Sequence, residues 1–224
     1  MSPVHHLDEA TLISYSAGAL SMPLMIVAAT HMATCKVCRD RLSVADRVGG
    51  ALIQRQESAS VDPVARAAML ARLEDEAETE TAPEPDALDL LGPRRHDPDR
   101  LPEFLHRYFG SSYSGLRWRT LVPGVRRVRA RAVEGGDLML LSIAPGKSLP
   151  VHSHQGSELT LILKGAYDDD LGHFGPGDVA DLDGEVEHQP VTARGEPCIC
   201  LAALDAPLRF PGRVARMLQP IFGF

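Results

Sequence analysis

The sequence predicts a multi-domain chain: a small all-α metal-binding domain in residues 1–80, a linker in 81–100 and an all-β domain in 101–224. Three observations predict it. Apolar residues recur at helical spacing through the front of the chain, with cap and stop residues around them. Pro83, Pro85, Pro93 and Pro98 then fall among many charges and few apolar side chains, the texture of a semi-extended linker. From Arg117 onward, short apolar runs alternate with Gly, Pro and Asp turns, which indicates a sandwich or barrel. A length of 224 residues suits two small domains, and a 44% hydrophobic share suffices for packed cores.

In the helical part, Asp8 is placed to cap a first helix reaching about Ala17, with Leu12, Ile13 and Tyr15 on its apolar side and Gly18 as its stop. Ser21 caps a second helix that tolerates Pro23 in its first turn, carries Leu24, Met25, Val27 and Ala28, and ends near His31. Cys38 opens a third, with Leu42, Val44, Ala45, Val48, Leu52 and Ile53 at helical spacing and Gly49-Gly50 weakening its middle. Asp62-Pro63 starts a fourth helix, filled by Val64, Ala67, Ala68, Leu70, Ala71 and Leu73, which fades into the acidic run Glu74 to Glu80. A short amphipathic helix is expected over Pro102 to Phe109.

These helices are organised around His31-Met32-Ala33-Thr34-Cys35-Lys36-Val37-Cys38, which reads H-x3-C-x2-C. A His and a Cys four apart share a helix face, and a Cys-x-x-Cys across a turn lets two thiolates converge. A structural zinc takes four such ligands in a tetrahedron. The fourth comes from elsewhere, and His5 and His6 are the nearby candidates. The competing reading is a helix-end His beside two buried or redox-active thiols; oxidation of Cys35 and Cys38 with loss of zinc is a switch compatible with the metal site.

In the β part, Trp118, Thr120 and Val122 alternate, and Val125, Val128 and Ala130 do so less regularly. Leu138–Ile143, Leu159–Leu163, Asp178–Leu182 and Cys198–Leu204 read as strands, with Pro145-Gly146 and Gly175-Pro176-Gly177-Asp178 as turns. The tail, Pro211 to Phe224, suits a closing helix or cap. Trp118 is expected in the core, and the basic run Arg117 to Arg131 on a solvated face or docked on the acidic front. Cys198 and Cys200, two apart on a strand, point to one face and read as core thiols rather than a disulfide or sensors. His173 is expected at the surface; His96 and His106 carry no assignment.

A second constellation lies here: Gly146-x5-His152-x-His154-x3-Glu158-x6-Gly165. His152 and His154 face the same way on an extended strand. Glu158 can fold back onto that face after a turn, and His188 can supply a third imidazole. Three nitrogens and a carboxylate suit Zn, Fe, Mn, Ni or Cu. This spacing resembles the cupin signature, which implies an all-β jelly-roll barrel. The second cupin motif matches in Gly177 and His188 but departs at Asp183, Gly184, Glu185 and Thr192.

Front and back together resemble the ChrR family of zinc-binding anti-sigma factors over almost the whole chain. The residues that carry this are His5-His6, Ala28-Ala29-Thr30-His31, Trp118-Arg119-Thr120, Glu158-Leu159-Thr160-Leu161 and Cys198-Ile199-Cys200-Leu201-Ala202. The resemblance implies zinc on His6, His31, Cys35 and Cys38, with His6 chosen over His5 on that ground. It implies a second divalent metal, zinc first among the candidates, on His152, His154, Glu158 and His188 of the cupin. It further implies that the helical domain inhibits an extracytoplasmic-function (group IV) sigma factor. The cupin would release that factor on a stress signal such as singlet oxygen or an organic hydroperoxide.

Charge and composition agree with such a partner. The formal net charge of -7 disfavours direct nucleic-acid binding and favours a basic, DNA-binding protein. No signal peptide is visible, and the longest apolar run, Met22 to Ala29, is too short to span a bilayer, so a reducing cytoplasm and no membrane contact are expected. The reading is of a regulator, not an enzyme. The alternative is a metal-dependent cupin enzyme of dioxygenase or isomerase type.

Overall fold

The computed structural model describes residues 3–79, 97–130, 133–206 and 208–209. They fall into two compact units, Met1–Gly50 with Asp99–Phe224, and Ala51–Pro98. Most of the proline-rich linker and the expected closing helix over Pro211 to Phe224 lie outside the described residues.

Helix α1 (Glu9–Ser16) begins on Asp8, whose carboxylate accepts from the Thr11 N–H at 2.5 Å. Helix α2 (Met22–Met32) follows Ser21, with Pro23 in its first turn where a missing N–H costs nothing. It is apolar all round, and Leu24, Ile26, Val27, Ala28 and Met32 are buried. Such a helix must be covered on every side.

Helix α3 (Lys36–Gln54) starts two residues before the expected Cys38. Cys35 takes the cap position: the Cys38 N–H points at its Sγ at 3.5 Å, so the helix is under way from Lys36. The Gly49-Gly50 pair does not interrupt it. Its apolar residues do not fill a core. Val44, Val48, Leu52 and Ile53 are exposed, Leu42 is partly covered, and Cys38 is the buried residue of the helix. In the other unit, α4 (Pro63–Thr79) starts at Pro63 as expected, and Val64, Met69, Leu70 and Leu73 are likewise exposed.

A 3₁₀ turn (Glu103–Leu105) and the one-turn α5 (His106–Phe109) lead into the β region, with Leu101 and Leu105 buried. An antiparallel six-stranded sheet follows, in the order β1 (Arg119–Val122), β2 (Val125–Arg129), β3 (Asp137–Ile143), β10 (Cys198–Leu204), β5 (Glu158–Lys164) and β8 (Val179–Leu182). A three-stranded sheet pairs β7 (Gly172–Phe174), β6 (Tyr167–Asp169) and β9 (Val191–Thr192), and β4 (Ser153–His154) pairs with β11 (Leu208–Arg209). This is the cupin-like β domain behind a helical front.

Period 2 sorts the long strands into two faces. Leu138, Leu140, Leu159, Leu161, Leu201 and Ala203 pack with α2 and the buried residues of the front segment in one continuous core. Met139, Cys200, Ala202 and Leu204 face the other way, into the barrel. Both faces are covered, so these strands read as unbroken apolar runs. Gly165 closes β5 at φ +67°, and a Cβ there would sit 2.6 Å from the Pro197 carbonyl oxygen, which explains the glycine that ends the His152 motif. Trp118 is partly buried against the core with Arg126 over its ring at 5.5 Å, and Arg129 pairs with Asp137 at 3.4 Å.

Candidate functional site

Four predicted ligands meet at one point. His6 precedes α1, His31 lies in the last turn of α2, Cys35 is in the following turn and Cys38 is in the first turn of α3. Their ligand atoms all lie within 4.8 Å of one another. His31 Nε2 is 3.3 Å from Cys38 Sγ, and His6 Nδ1 is 3.3 Å from Cys35 Sγ. A tetrahedral zinc with Zn–S of about 2.3 Å and Zn–N of about 2.0–2.1 Å has ligand edges of roughly 3.3–3.8 Å. The donor set therefore fits zinc in type, number and spacing. His31, Cys35 and Cys38 are at most 1% exposed. Burial pushes the Cys38 thiol up to about 11, with the Leu7 N–H the main opposing contact, and burial lowers His31 against the Gly177 hydrogen bond. A cation bound here reverses the cost of charging the thiols.

His5 is placed elsewhere. Its ring stacks on Phe174 at 3.9 Å, and its Nε2 meets the His173 carbonyl oxygen at 3.0 Å. Among the described residues, the four-residue cluster contains His6 and not His5.

The cluster is fastened to the β domain by contacts that sequence reading missed. His31 Nδ1–H donates to the Gly177 carbonyl oxygen at 2.9 Å, which aims Nε2 at the metal point. Gly177 has φ +94°, and a Cβ there would lie 3.2 Å from Pro3. Next to it, the buried Asp178 carboxylate accepts from the N–H groups of Val4 at 2.5 Å, His5 at 2.9 Å and Gly175 at 2.9 Å. Burial raises the Asp178 carboxyl, but these three donors outweigh it and leave it below the usual carboxylate range. On β8, Asp181 accepts from the Asp8 N–H at 3.0 Å and from the Thr11 hydroxyl at 3.2 Å. The Gly175-Pro176-Gly177-Asp178 stretch signals only a turn; nothing in it announces that its acceptors serve residues 146 to 174 positions away.

The second constellation gathers in the barrel. His152 and His188 bridge by their backbones, and their Nε2 atoms stand 3.1 Å apart, the spacing of two imidazoles on one ion. Each Nδ1 has an acceptor behind it: the Pro150 carbonyl oxygen at 2.9 Å for His152, and Asp169 Oδ2 at 3.2 Å for His188. A carboxylate or carbonyl behind a ligating imidazole is the usual outer partner in metal sites. Glu158, buried at the start of β5, accepts from the Thr160 hydroxyl at 2.8 Å and lines the same cavity. His154 falls on β4; its side chain lies outside the described residues. The cavity, about 330 Å³, is walled mainly by apolar residues such as Leu141, Ile143, Ala202 and Leu204. Cys198 and Cys200 also line it as free, buried thiols, and burial raises both, Cys198 to about 12. His173, on β7, is exposed and pairs with Asp168 at 2.8 Å.

Comparisons with known proteins agree with this architecture. The sequence model of the ChrR Cupin-like domain matches residues 110–206. The chain is 41% identical over 220 residues to the anti-sigma-E factor ChrR of Cereibacter sphaeroides, covering 97% of both chains. It also resembles the solved structure of Rhodobacter sphaeroides SigE in complex with the anti-sigma ChrR, at 35% identity and a TM-score of 0.72. That match spans 91% of this chain and 100% of the other.

Proposed function

The chain belongs to the ChrR family of anti-sigma factors, and on that premise we propose that it binds and inhibits an extracytoplasmic-function (group IV) sigma factor through its helical front and releases it on a signal received by the cupin. The observation that carries this is the uncovered apolar face of α3. Val44, Val48 and Leu52 recur every four residues on one side, each 49–59% exposed, on a helix anchored at its start by Cys38. A stripe at i, i+4, i+8 is the reading pattern of a helix laid into a partner's groove. The exposed Val64, Met69, Leu70 and Leu73 give α4 the same character. Zinc held by His6, His31, Cys35 and Cys38 supplies folding energy that fixes where α3 begins.

Residues 1–80 act as the inhibitory element, 81–100 as the linker and 101–224 as the sensor. A second divalent metal, zinc first among the candidates, is held in the cupin by His152, His154, Glu158 and His188. The inducing signal is photo-oxidative, singlet oxygen or an organic hydroperoxide. The partner is a protein rather than nucleic acid or membrane, and the compartment is the cytoplasm; no helix among the described residues is long and apolar enough to cross a bilayer. The chain is a regulator, and a catalytic cupin is the weaker reading because the nearly full-length relative is an anti-sigma factor.

The test is calorimetric titration of the zinc-loaded full chain with the sigma factor encoded beside it. Wild type should bind one to one, and Val48→Asp/Leu52→Asp should weaken binding at least about 100-fold with an unchanged melting curve. Equal affinity of the two proteins would sink the α3 surface. For the sensor, His152→Ala should abolish release under photo-oxidative stress; normal release would remove the cupin metal from the mechanism.

A further inference from the structure

One polar group that lines the barrel cavity has no hydrogen-bond partner among the described residues. Tyr167 is 5% exposed and lines the cavity, yet its hydroxyl makes no hydrogen bond among the described residues. Buried tyrosine hydroxyls ordinarily have a partner, and leaving one unmet costs free energy. Burial and the nearby Asp169 and Glu158 carboxylates keep the phenol protonated, hence a donor. Around it the wall is apolar, and about 330 Å³ is the size of a small-molecule site.

The Tyr167 ring is also the first member of a stack. It lies on Phe174 at 4.8 Å and 12°, and Phe174 lies on His5 at 3.9 Å and 21°. His5 is the residue before the metal ligand His6, and its backbone N–H is held by Asp178, neighbour of the Gly177 carbonyl that receives His31. Three rings thus run from the cavity to His5, and the chain covers the last step, from His5 to the adjoining His6. A packed chain of this kind couples two sites only if both bias it, which makes the coupling measurable.

We propose that the cavity takes a small aliphatic molecule bearing one hydrogen-bond-accepting oxygen, that the Tyr167 hydroxyl donates to that oxygen, and that the Tyr167–Phe174–His5 stack carries the event to the metal node. This deepens the sensing role proposed above and rests on it for its use, but its chemistry is read without a sigma factor. Failure here leaves sigma binding standing, and failure there leaves this site standing.

Two probes test the site on the full chain: 2-octanone, and 2-methyl-1-octene, which has the same shape without the acceptor. Wild type should bind one ketone per chain, and Tyr167→Phe should weaken the ketone about five- to tenfold while leaving the alkene unchanged. No ketone binding by wild type, or equal losses for both probes, would overturn the site. The coupling is read on cobalt(II)-loaded protein, where thiolate-to-cobalt absorption reports the cysteine-bearing node alone. Saturating ketone should change the rate of cobalt loss to a chelator at least threefold in wild type and in His5→Phe, which keeps the ring, but not in His5→Ala. No change in wild type, or the same change in His5→Ala, would overturn the relay.

Discussion

Replacing Asp178 by alanine tests whether the β domain holds the metal-bearing segment in place. The carboxylate accepts three backbone N–H groups, two of them from Val4 and His5 and one from its own turn. Hydrogen bonds to a charged group contribute about 1.5–3 kcal/mol each in mutational series. Val4 is 76% exposed, so its freed N–H finds water, and roughly 1 kcal/mol for each of the two inter-segment bonds is the better figure. Asp178→Ala should therefore lower global stability by about 2–3 kcal/mol, the turn's own bond included. It should ease local opening of the His5–His6 segment by about 2 kcal/mol, which is about 30-fold in rate. Zinc transfer from the full chain to a chromophoric chelator measures the second quantity, and urea unfolding followed by circular dichroism measures the first. The folded carboxyl sits below its ordinary value near pH 3.9, so the contribution is present above that pH and is lost as pH falls through the folded value. Mutant and wild type should thus converge in acid. Zinc transfer within threefold of wild type, with stability unchanged at pH 7, would refute the fastening role.

Two further outcomes follow from the acids behind the sites. Burial, opposed by the Asp8 N–H, raises Asp181 to about 6, so its ionisation costs stability as pH rises from about 4 to about 6. Asp181→Asn keeps an oxygen to accept from the Asp8 N–H and turns its amide N–H toward the Thr11 hydroxyl oxygen, which can accept it; it should gain roughly 1–2 kcal/mol at pH 7 and nothing at pH 4, read by thermal melts at both pH values. Asp169→Asn removes the carboxylate behind His188 and should weaken divalent-metal binding at the site proposed in the cupin about 10–100-fold in competition with a chelator, leaving the helical node's occupancy unchanged.

The sequence made the helical cluster legible because metal chemistry fixes ligand type and spacing locally: H-x3-C-x2-C names three of its four residues without the fold, and H-x-H-x3-E names candidates of which His152 and Glu158 line the barrel cavity. Helix starts were equally plain at Asp8 and Pro63, where the cap chemistry sits in the sequence itself. Cys38 misled because a thiol is not an ordinary cap, and Cys35 serves as one. The apolar spacing of α3 and α4 was real but spoke only of a face to be covered, not of what covers it. Short strands such as Tyr167–Asp169 and Gly172–Phe174 carry too few residues for an alternating pattern. Asp178, Asp169 and the Gly177 carbonyl were invisible for a different reason. Their work is done across long sequence separations, by backbone groups or by acids that look like turn residues.

The central claim is that a zinc-ordered helical front captures a sigma factor. The most direct measurement is the affinity of the full chain for its extracytoplasmic-function sigma factor, zinc-loaded and after stripping by a chelator, with metal content determined on the same samples. The account predicts one-to-one binding by the loaded chain and at least about 100-fold weaker binding once the node is empty, restored on adding zinc back. No binding by the loaded chain, or the same affinity after stripping, would contradict it.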